Sequence, residues 1–393
     1  MFLPRKIYPE LLEHLSRRQI TVLTGMRRTG KTSLLKQLLA ESDISQKLYY
    51  DLERIDNRAF FAQPNYEGII AALKLQGVDF SKKVLIAIDE IQLLRNLPSV
   101  IKYLYDHYDI KFIVTGSSAY YMKNQFSESL AGRKKIFELF PLDFGELLAF
   151  KDVNAIPLNF DQAATYVPSE YERLRVLYDE YINFGGFPEV VLAKSEDEKK
   201  DLVKDILSSY INYDLSVLAD IRSPIDIFTL IKLLSIRVGT KLDISKLASM
   251  TSLSRNLVEN YLDLLEKSYL IRTIPVLSRS PDREIVKAKK VYFLDNGIAS
   301  LSGELGSGSK FENAVFNQLL HKGEVAYYQL KTGREIDFIV DKEYSFEVKE
   351  TATEADLKNV QSLAKNLEIT KSFVIGRHPV KKFEGFIWGG FIR

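Results

Sequence analysis

The sequence predicts an α/β protein with a parallel sheet at its amino-terminal end, a helical middle and a smaller α/β portion at its carboxy-terminal end. Three observations predict it. Over residues 1 to 140, four short runs, "QITVLTG", "KLYYDLE", "KVLIAIDE" and "KFIVTGSS", are nearly continuously apolar and alternate with helical patterns. Strands covered by helices on both faces read this way. From 141 to 220, "EYERLRVLYDEYINF" and "DLVKDILSSYINYDLSVL" carry apolar residues at three- and four-residue spacing, the period of a helix. Beyond the glycine-serine stretch "SGELGSGSK" at 302–310, a helix pattern, "KFENAVFNQLL", leads into the alternating runs "REIDFIV" and "YSFEVKE".

At 393 residues the chain is too long for one ordinary core, and we divide it as 1–140, 141–223, 224–301 and 302–393. Hydrophobic residues make up 46% and charged residues 27%, the balance of a globular chain. No apolar run approaches the roughly 18 residues of a membrane span. The opening "MFLPRKIYPELLEHLSRRQ" places charge inside its apolar stretch and offers no small-residue cleavage site, so no export signal is expected. The absence of cysteine excludes disulfides, thiolate zinc sites and cysteine nucleophiles, and a cytoplasmic location is expected. The four histidines, His14, His107, His321 and His378, have no helical ligand spacing. A net charge of +2 means that any nucleic-acid-binding face must be local.

The first element that carries chemistry is the turn after "QITVLTG". Gly25-Met26-Arg27-Arg28-Thr29-Gly30-Lys31-Thr32 fits G-x-x-x-x-G-K-[ST] between a strand and a helix, the pattern of a phosphate-binding P-loop. Glycines at 25 and 30 let backbone N–H groups approach phosphate, and the helix that follows turns its positive end toward it. Lys31 reaches the terminal phosphates and Thr32 offers a hydroxyl to Mg²⁺, with Arg28, Thr29 and Ser33 completing the nucleotide-binding run. "KVLIAIDE" supplies the acidic half: Asp89 for the magnesium shell and Glu90 to polarise the attacking water. The paired acids favour hydrolysis over transfer to a small substrate. At the tip of the next strand Ser117 is the candidate γ-phosphate sensor, with Thr115 and Ser118 able to exchange roles with it. Arg133, on a small-residue turn before a further strand, is a candidate arginine finger for a neighbouring copy; a lone surface arginine has the same appearance.

In order, "GMRRTGKT", "LIAIDEIQ", "FIVTGSSA", "SLAGR", "PLDFGEL" and "NFGGFPEVV" resemble the prokaryotic AAA+-type ATPase family whose C-terminal half was long labelled a domain of unknown function. The resemblance spans essentially the whole chain. It implies ATP as the nucleotide, ATP hydrolysis, assembly into a homo-oligomer or ring, and a trans-acting role for Arg133, because in that family the Leu-Ala-Gly-Arg stretch precedes a Pro-Leu-x-Phe segment, here Pro141 to Phe144. From the residues themselves, no guanine-reading N-K-x-D box is present.

Residues 226 to 275 read helix, helix, turn, helix, strand: "DIFTLIKLLSIRVG", "DISKLASMTSL" and "SRNLVENYLDLLEKSYLI", a winged helix-turn-helix pattern. Ser254 is the expected N-cap, and Leu257, Tyr261, Leu264 and Leu265 the inward positions of the third helix. Arg255 and Asn256 then face outward near its start, the part that enters a DNA major groove. Arg272, Arg279, Arg283, Lys287, Lys289 and Lys290 concentrate positive charge around the wing, which suits phosphate. Such modules also pack against other domains, and DNA is the partner expected on charge.

In the last portion, strand alternation sets Asp337 opposite in face to Ile336 and Phe338, while Glu347 and Lys349, two apart, share a face. Two adjacent strands would converge these groups, with Glu312 on the preceding helix as a further ligand. Carboxylates so gathered bind Mg²⁺ or Mn²⁺, and the lysine orients a water at a phosphodiester. The order helix Glu, Asp, Glu-x-Lys resembles the PD-(D/E)XK nuclease fold, with Glu312, Asp337, Glu347 and Lys349 matching its motif; the proline that names the motif is absent. A solvated charged strand face would share the E-x-K pattern. Two readings follow: an ATPase coupled to DNA cleavage, or an ATP-controlled switch that binds DNA or a protein without cutting.

Overall fold

In the computed structural model of the protein, which describes all residues except 1, 64, 118–129, 131, 157, 165–166, 216–222, 279–286, 381–382 and 393, five parallel strands form the first sheet. They are β1 (Ile20–Thr24), β2 (Gln46–Asp51), β3 (Val84–Asp89), β4 (Ile110–Gly116) and β5 (Lys134–Glu138), in the order β2-β3-β4-β1-β5. The runs of the inner strands β1, β3 and β4 are nearly continuously apolar because both faces are covered, whereas β2, expected to be buried on both faces, is an edge strand and only partly buried. On β3, Val84, Ile86 and Ile88 enter a core shared with α3 (Ile55–Phe61), α4 (Tyr66–Leu75) and α5 (Leu97–His107). Leu85 and Ala87, on the alternate positions, enter a second core with α1 (Tyr8–His14) and α2 (Lys31–Glu41). The sheet order sets the site. Because β4 lies between β1 and β3, the carboxyl ends of these three strands stand side by side on one edge.

The chain divides into two compact units: Met1–Phe140 with Ser209–Arg222 and Lys267–Tyr269, and Pro141–Ser208 with Ser223–Glu266 and Leu270–Arg393. The second unit opens with α6 (Phe144–Phe150), α7 (Pro168–Phe184) and α8 (Glu196–Ser209), whose last residue already belongs to the first unit. The charged run at 194–201 forms the start of α8, as its acidic first turn favours, but Lys199 is buried there against Glu180 at 2.6 Å. Three helices follow, α9 (Pro224–Ser235), α10 (Ile244–Thr251) and α11 (Arg255–Lys267), and then the antiparallel pair β6 (Ile271–Ile274) and β7 (Lys290–Phe293).

The glycine-serine stretch is helical from Ser307, where α12 (Ser307–Leu319) begins. Its face of Phe311, Ala314, Val315, Phe316 and Leu319 is buried, and that burial outweighs the roughly 1 kcal/mol of helix propensity lost at Gly308. An antiparallel meander, β8 (Val325–Gln329), β9 (Glu335–Val340) and β10 (Tyr344–Lys349), leads through α13 (Glu354–Ala364) to β11 (Lys371–Gly376), parallel to β10, and β12 (Phe386–Trp388). The Asn313 amide bonds both the N–H and the C=O of Phe293 at 2.9 Å and so ties α12 to β7. Among the described residues no helix is long and apolar enough to cross a membrane.

Candidate functional site

The loop between β1 and α2 is built on two glycines. Gly25 has φ 154°, and a Cβ there would stand 2.1 Å from the Leu139 carbonyl oxygen; Gly30, the N-cap of α2, has φ 98°. Arg5 secures the loop from outside, donating to the carbonyls of Thr29 at 2.9 Å and Phe140 at 2.8 Å. The Thr29 hydroxyl closes the loop on the Met26 carbonyl at 2.8 Å. Lys31 is buried, with its ammonium on the carbonyls of Gly25 and Met26 at 2.9 Å each. Burial pulls its pKa below the usual lysine value, opposed by the charges of Glu90, Asp214 and Asp89. Arg28, at φ 65°, and Ser33, on the first turn of α2, are exposed.

Asp89 is the hub. Its carboxylate accepts from the Thr32 hydroxyl at 2.7 Å, from the Tyr49 hydroxyl at 3.2 Å and from the Thr115 hydroxyl. Thr115 also accepts the Glu90 N–H at 3.1 Å, so β4 holds both Asp89 at the end of β3 and Glu90 just past it. Glu90 adopts left-handed backbone, φ 57° and ψ 49°, which turns it away from the strand line. The Gln92 amide donates to the Glu90 carboxylate and, at 3.0 Å, to the Ser117 hydroxyl. The sequence-predicted set Lys31, Thr32, Asp89, Glu90, Thr115 and Ser117 is thus gathered on one edge, while Ser118 lies outside the described residues. The oxygens of Thr32 and Asp89 are hard donors of the kind that suit Mg²⁺.

Three participants carried no sequence signal that we read. Tyr49 comes from the neighbouring strand β2, and Gln92 lies just past the acidic pair. Asp214, from the returning segment 209–222, is 6% exposed and pairs with Arg27 at 3.2 Å. Burial pushes its pKa up to about 6, against the lowering effect of Arg27 and Lys31.

Arg133 lies at the other edge. It precedes β5, whose first residue pairs with Ile20 at the start of β1, and its own carbonyl accepts the Ile20 N–H at 2.8 Å. Five residues of β1, about 16 Å, separate that edge from the loop. Its guanidinium grips Asp106 through two bonds, at 2.8 and 3.1 Å.

In the second unit Ser254 caps α11, and Arg255 and Asn256 are exposed at its start. Of the expected inward positions Tyr261, Leu264 and Leu265 are buried and Leu257 is half-buried, and the inward face extends to Val258 and Leu262. Lys287 and Lys289 are exposed, and Arg279 and Arg283 lie outside the described residues. Lys290 corrects the expected basic wing. It is buried on β7, its ammonium 3.0 Å from Glu335 and 3.9 Å from Asp337.

Lys290 thereby joins the carboxylates of the mixed sheet. The register that pairs Phe346 with Phe338 brings Glu347 toward Asp337, and the Asp337 carboxylate accepts the Val348 N–H at 2.9 Å. Lys349 bonds Glu347 at 2.6 Å, and Glu312 accepts the Tyr292 hydroxyl at 2.7 Å. Burial raises the pKa of Glu312, Asp337 and Glu347, with the Asp337 charge adding to the rise at both glutamates. The structure brings Glu312, Asp337, Glu347 and Lys349 together, but each carboxylate already has an oxygen committed to a protein donor. Among the described residues no group of three or more His, Cys, Asp or Glu side chains is arranged to hold a metal ion. Lys290 stands among the carboxylates expected as metal ligands, beside the Lys349 that the motif itself supplies.

Residues 17–148 match the family model described as "AAA domain". Residues 175–306 and 307–382 match two models described as "Domain of unknown function", DUF8612 and DUF4143. The chain is 28% identical over 369 residues to uncharacterized protein MJ1544 of Methanocaldococcus jannaschii, covering 89% of this chain and 80% of that one. It is 26% identical over 375 residues to an uncharacterized protein of Haemophilus influenzae, covering 90% and 89%. Among solved structures, the ORC1 protein of Aeropyrum pernix in complex with DNA aligns at TM-score 0.31 and 14% identity, over 75% of this chain and 90% of that one. The RuvB Holliday junction branch migration motor of Thermotoga maritima aligns at TM-score 0.33 and 15% identity, over 71% and 91%. Those TM-scores are low, and neither structure bears on function. The stretch that holds the glycine loop, Asp89 and Glu90 is similar to AAA domains, and the two stretches after it are similar to domains without an assigned activity.

Proposed function

We propose that this protein hydrolyses ATP at the loop of its first unit and uses the cycle to control DNA bound by its second. One observation carries the reading: the Thr32 hydroxyl meets Asp89 at 2.7 Å, which joins the phosphate loop to the acidic strand in one polar network. Thr32 and Asp89 would hold Mg²⁺, which when bound neutralises charge on the phosphate oxygens. Backbone N–H groups of the loop and the helix start orient the triphosphate, and Lys31 transfers its ammonium from loop carbonyls to phosphate. Glu90 accepts the proton of the attacking water, positioned by Thr115 and Gln92, while Ser117 contacts the γ-phosphate. Arg133 acts on the site of a neighbouring copy in a homo-oligomer, because its own loop lies across the sheet. The setting is cytoplasmic.

In the second unit α9, α10, α11, β6 and β7 act as a winged helix-turn-helix, with Arg255 and Asn256 toward bases and Lys287 toward phosphate, joined by Arg279 and Arg283. The helix, meander, helix, strand order from α12 to β11 supports a nuclease-like domain. Between cleavage and binding without cleavage, Lys290 favours the second, since the pocket carries its own cation. The test is steady-state ATP hydrolysis with and without duplex or branched DNA. Glu90→Gln should lower kcat by about 10²–10⁴-fold while nucleotide still binds, and Lys31→Met should abolish nucleotide binding. Retained turnover in Glu90→Gln would overturn the assignment of the base. DNA cut by wild type with Mg²⁺ or Mn²⁺ but not by Asp337→Ala would restore the cleaving reading.

A further inference from the structure

Asp214 is the least expected group at the phosphate loop. It reaches the first unit on the segment Ser209–Arg222, far along the chain from the loop. Where α8 ends, the chain makes a π-helical turn over Tyr210–Asp214. A π turn inserts a residue into the helical register and re-aims the side chains that follow, which is why such turns gather at functional sites. Here the turn buries a carboxylate beside the loop. One oxygen takes the Arg27 guanidinium at 3.2 Å, and the other, Oδ2, has no hydrogen-bond partner among the described residues. A buried acceptor without a protein partner costs free energy, and its retention asks for a functional reason.

The charges around Asp214 show what it acts on. Arg27 from the loop and Lys31 from the start of α2 are the cations facing it, and Glu53 after β2 and Glu90 after β3 are the anions. Arg27 is shared, since its other bond goes to Glu53 at 3.2 Å. Both cations belong to the run "GMRRTGKT", whose purpose in the reading above is to receive phosphate. A carboxylate that holds one of them and lies within the field of the other is a competitor for phosphate in the same pocket.

We propose that Asp214 is a positioning residue of the nucleotide site: its carboxylate holds Arg27 and faces Lys31, so that the phosphates of an incoming nucleotide must take these cations from it. The arrangement keeps the cations ordered before nucleotide arrives, and it weakens retention of a nucleotide after arrival, most for the one with less phosphate to compete, the diphosphate. Asp214 therefore favours product release. The inference rests on the nucleotide reading and adds to it a residue that neither strand nor loop supplies.

The experiment measures ADP and nonhydrolysable ATP-analogue affinity by calorimetry on the full chain at pH 7.5 for wild type, Lys31→Met, Asp214→Asn, Arg27→Gln and the Asp214→Asn/Arg27→Gln pair. Asp214→Asn, which keeps the shape and removes the charge, should bind ADP about tenfold more tightly. The gain should be smaller in the Arg27→Gln background, because the two act as a pair. It should also shrink as the pH falls below about 6, where burial has already made wild-type Asp214 neutral. A purely structural carboxylate would show neither the Arg27 dependence nor the pH dependence. If Asp214→Asn fails to fold, Asp214→Ser takes its place in the same comparison. Equal or weaker ADP binding by the neutral variant overturns the proposal. Absence of nucleotide uptake by wild type, or undiminished uptake by Lys31→Met, overturns the nucleotide reading itself, and the two failures are thus told apart.

Discussion

Lys290 and Lys349 are two lysines of the same pocket with different work to do. Lys290 is 3% exposed and its ammonium meets Glu335 and Asp337; burial lowers its pKa, but the charges of Asp337, Glu312 and Glu335 outweigh that and hold it above the usual value. Lys349 is 41% exposed and bonds Glu347. Removing Lys290 leaves buried carboxylates without their cation, a change that costs far more than losing a surface pair. Lys290→Met should destabilise the protein by roughly 2–4 kcal/mol in urea titration, below the full figure for a buried pair because Glu335 is a third exposed. Lys349→Met should cost less than about 1 kcal/mol. Similar losses in both would show that Lys290 does not compensate the pocket. In the sequence Lys290 reads as one more basic residue of a wing, because nothing in its neighbours reports that Glu335 and Asp337 will surround it.

At the scale of elements, the strand-loop-helix at 20–41 depends on two glycines for different reasons. Gly25 combines φ 154° with backbone in the way of any Cβ, whereas Gly30 has φ 98° and nothing within 4 Å. Gly30→Ala should therefore cost the nucleotide-free protein only backbone strain, about 1–3 kcal/mol. Gly25→Ala must also displace the Leu139 carbonyl, which bars β5's end from its place, so it should melt well below Gly30→Ala and lose nucleotide binding. Equal melting temperatures would show that the loop relaxes without β5. The motif was legible because its spacing is local. The contact that makes Gly25 irreplaceable was not, since Leu139 follows the last strand of the sheet. The third helix, α11, repeats the lesson: an amphipathic pattern fixes its face only to within a residue, and packing buried Val258 fully and Leu257 by half.

At the scale of the molecule, acid should act on the first unit through His14. The ring is 2% exposed, bonded to the Thr21 hydroxyl at 2.8 Å. Burial and the nearby Lys111 ammonium lower its pKa from 6.5 to about 4. Unfolded chains bind a proton at this ring below pH 6.5, and folded ones only near 4. Stability is therefore complete above pH 6.5 and is lost as the pH falls toward 4, by up to about 1.4 kcal/mol per pH unit. His14→Gln should flatten that part of the stability-pH curve, measured by urea midpoint between pH 4 and 7. An unchanged slope would assign acid sensitivity elsewhere.

The sequence by itself determined what is local: four strands of the first sheet, the glycine loop with Lys31 and Thr32, the Asp89-Glu90 pair at a strand end and the Glu-x-Lys alternation. Each is a matter of residues within one turn or one pleat of each other, where backbone geometry alone places side chains. Tertiary structure decided which strand lies between which, and so set Thr115 against Asp89. It also carried Asp214 back to the loop, placed Arg133 across the sheet from its own loop and buried Lys290 among acids. These follow from burial and charge compensation between segments far apart in the chain, for which a sequence holds no spacing to read.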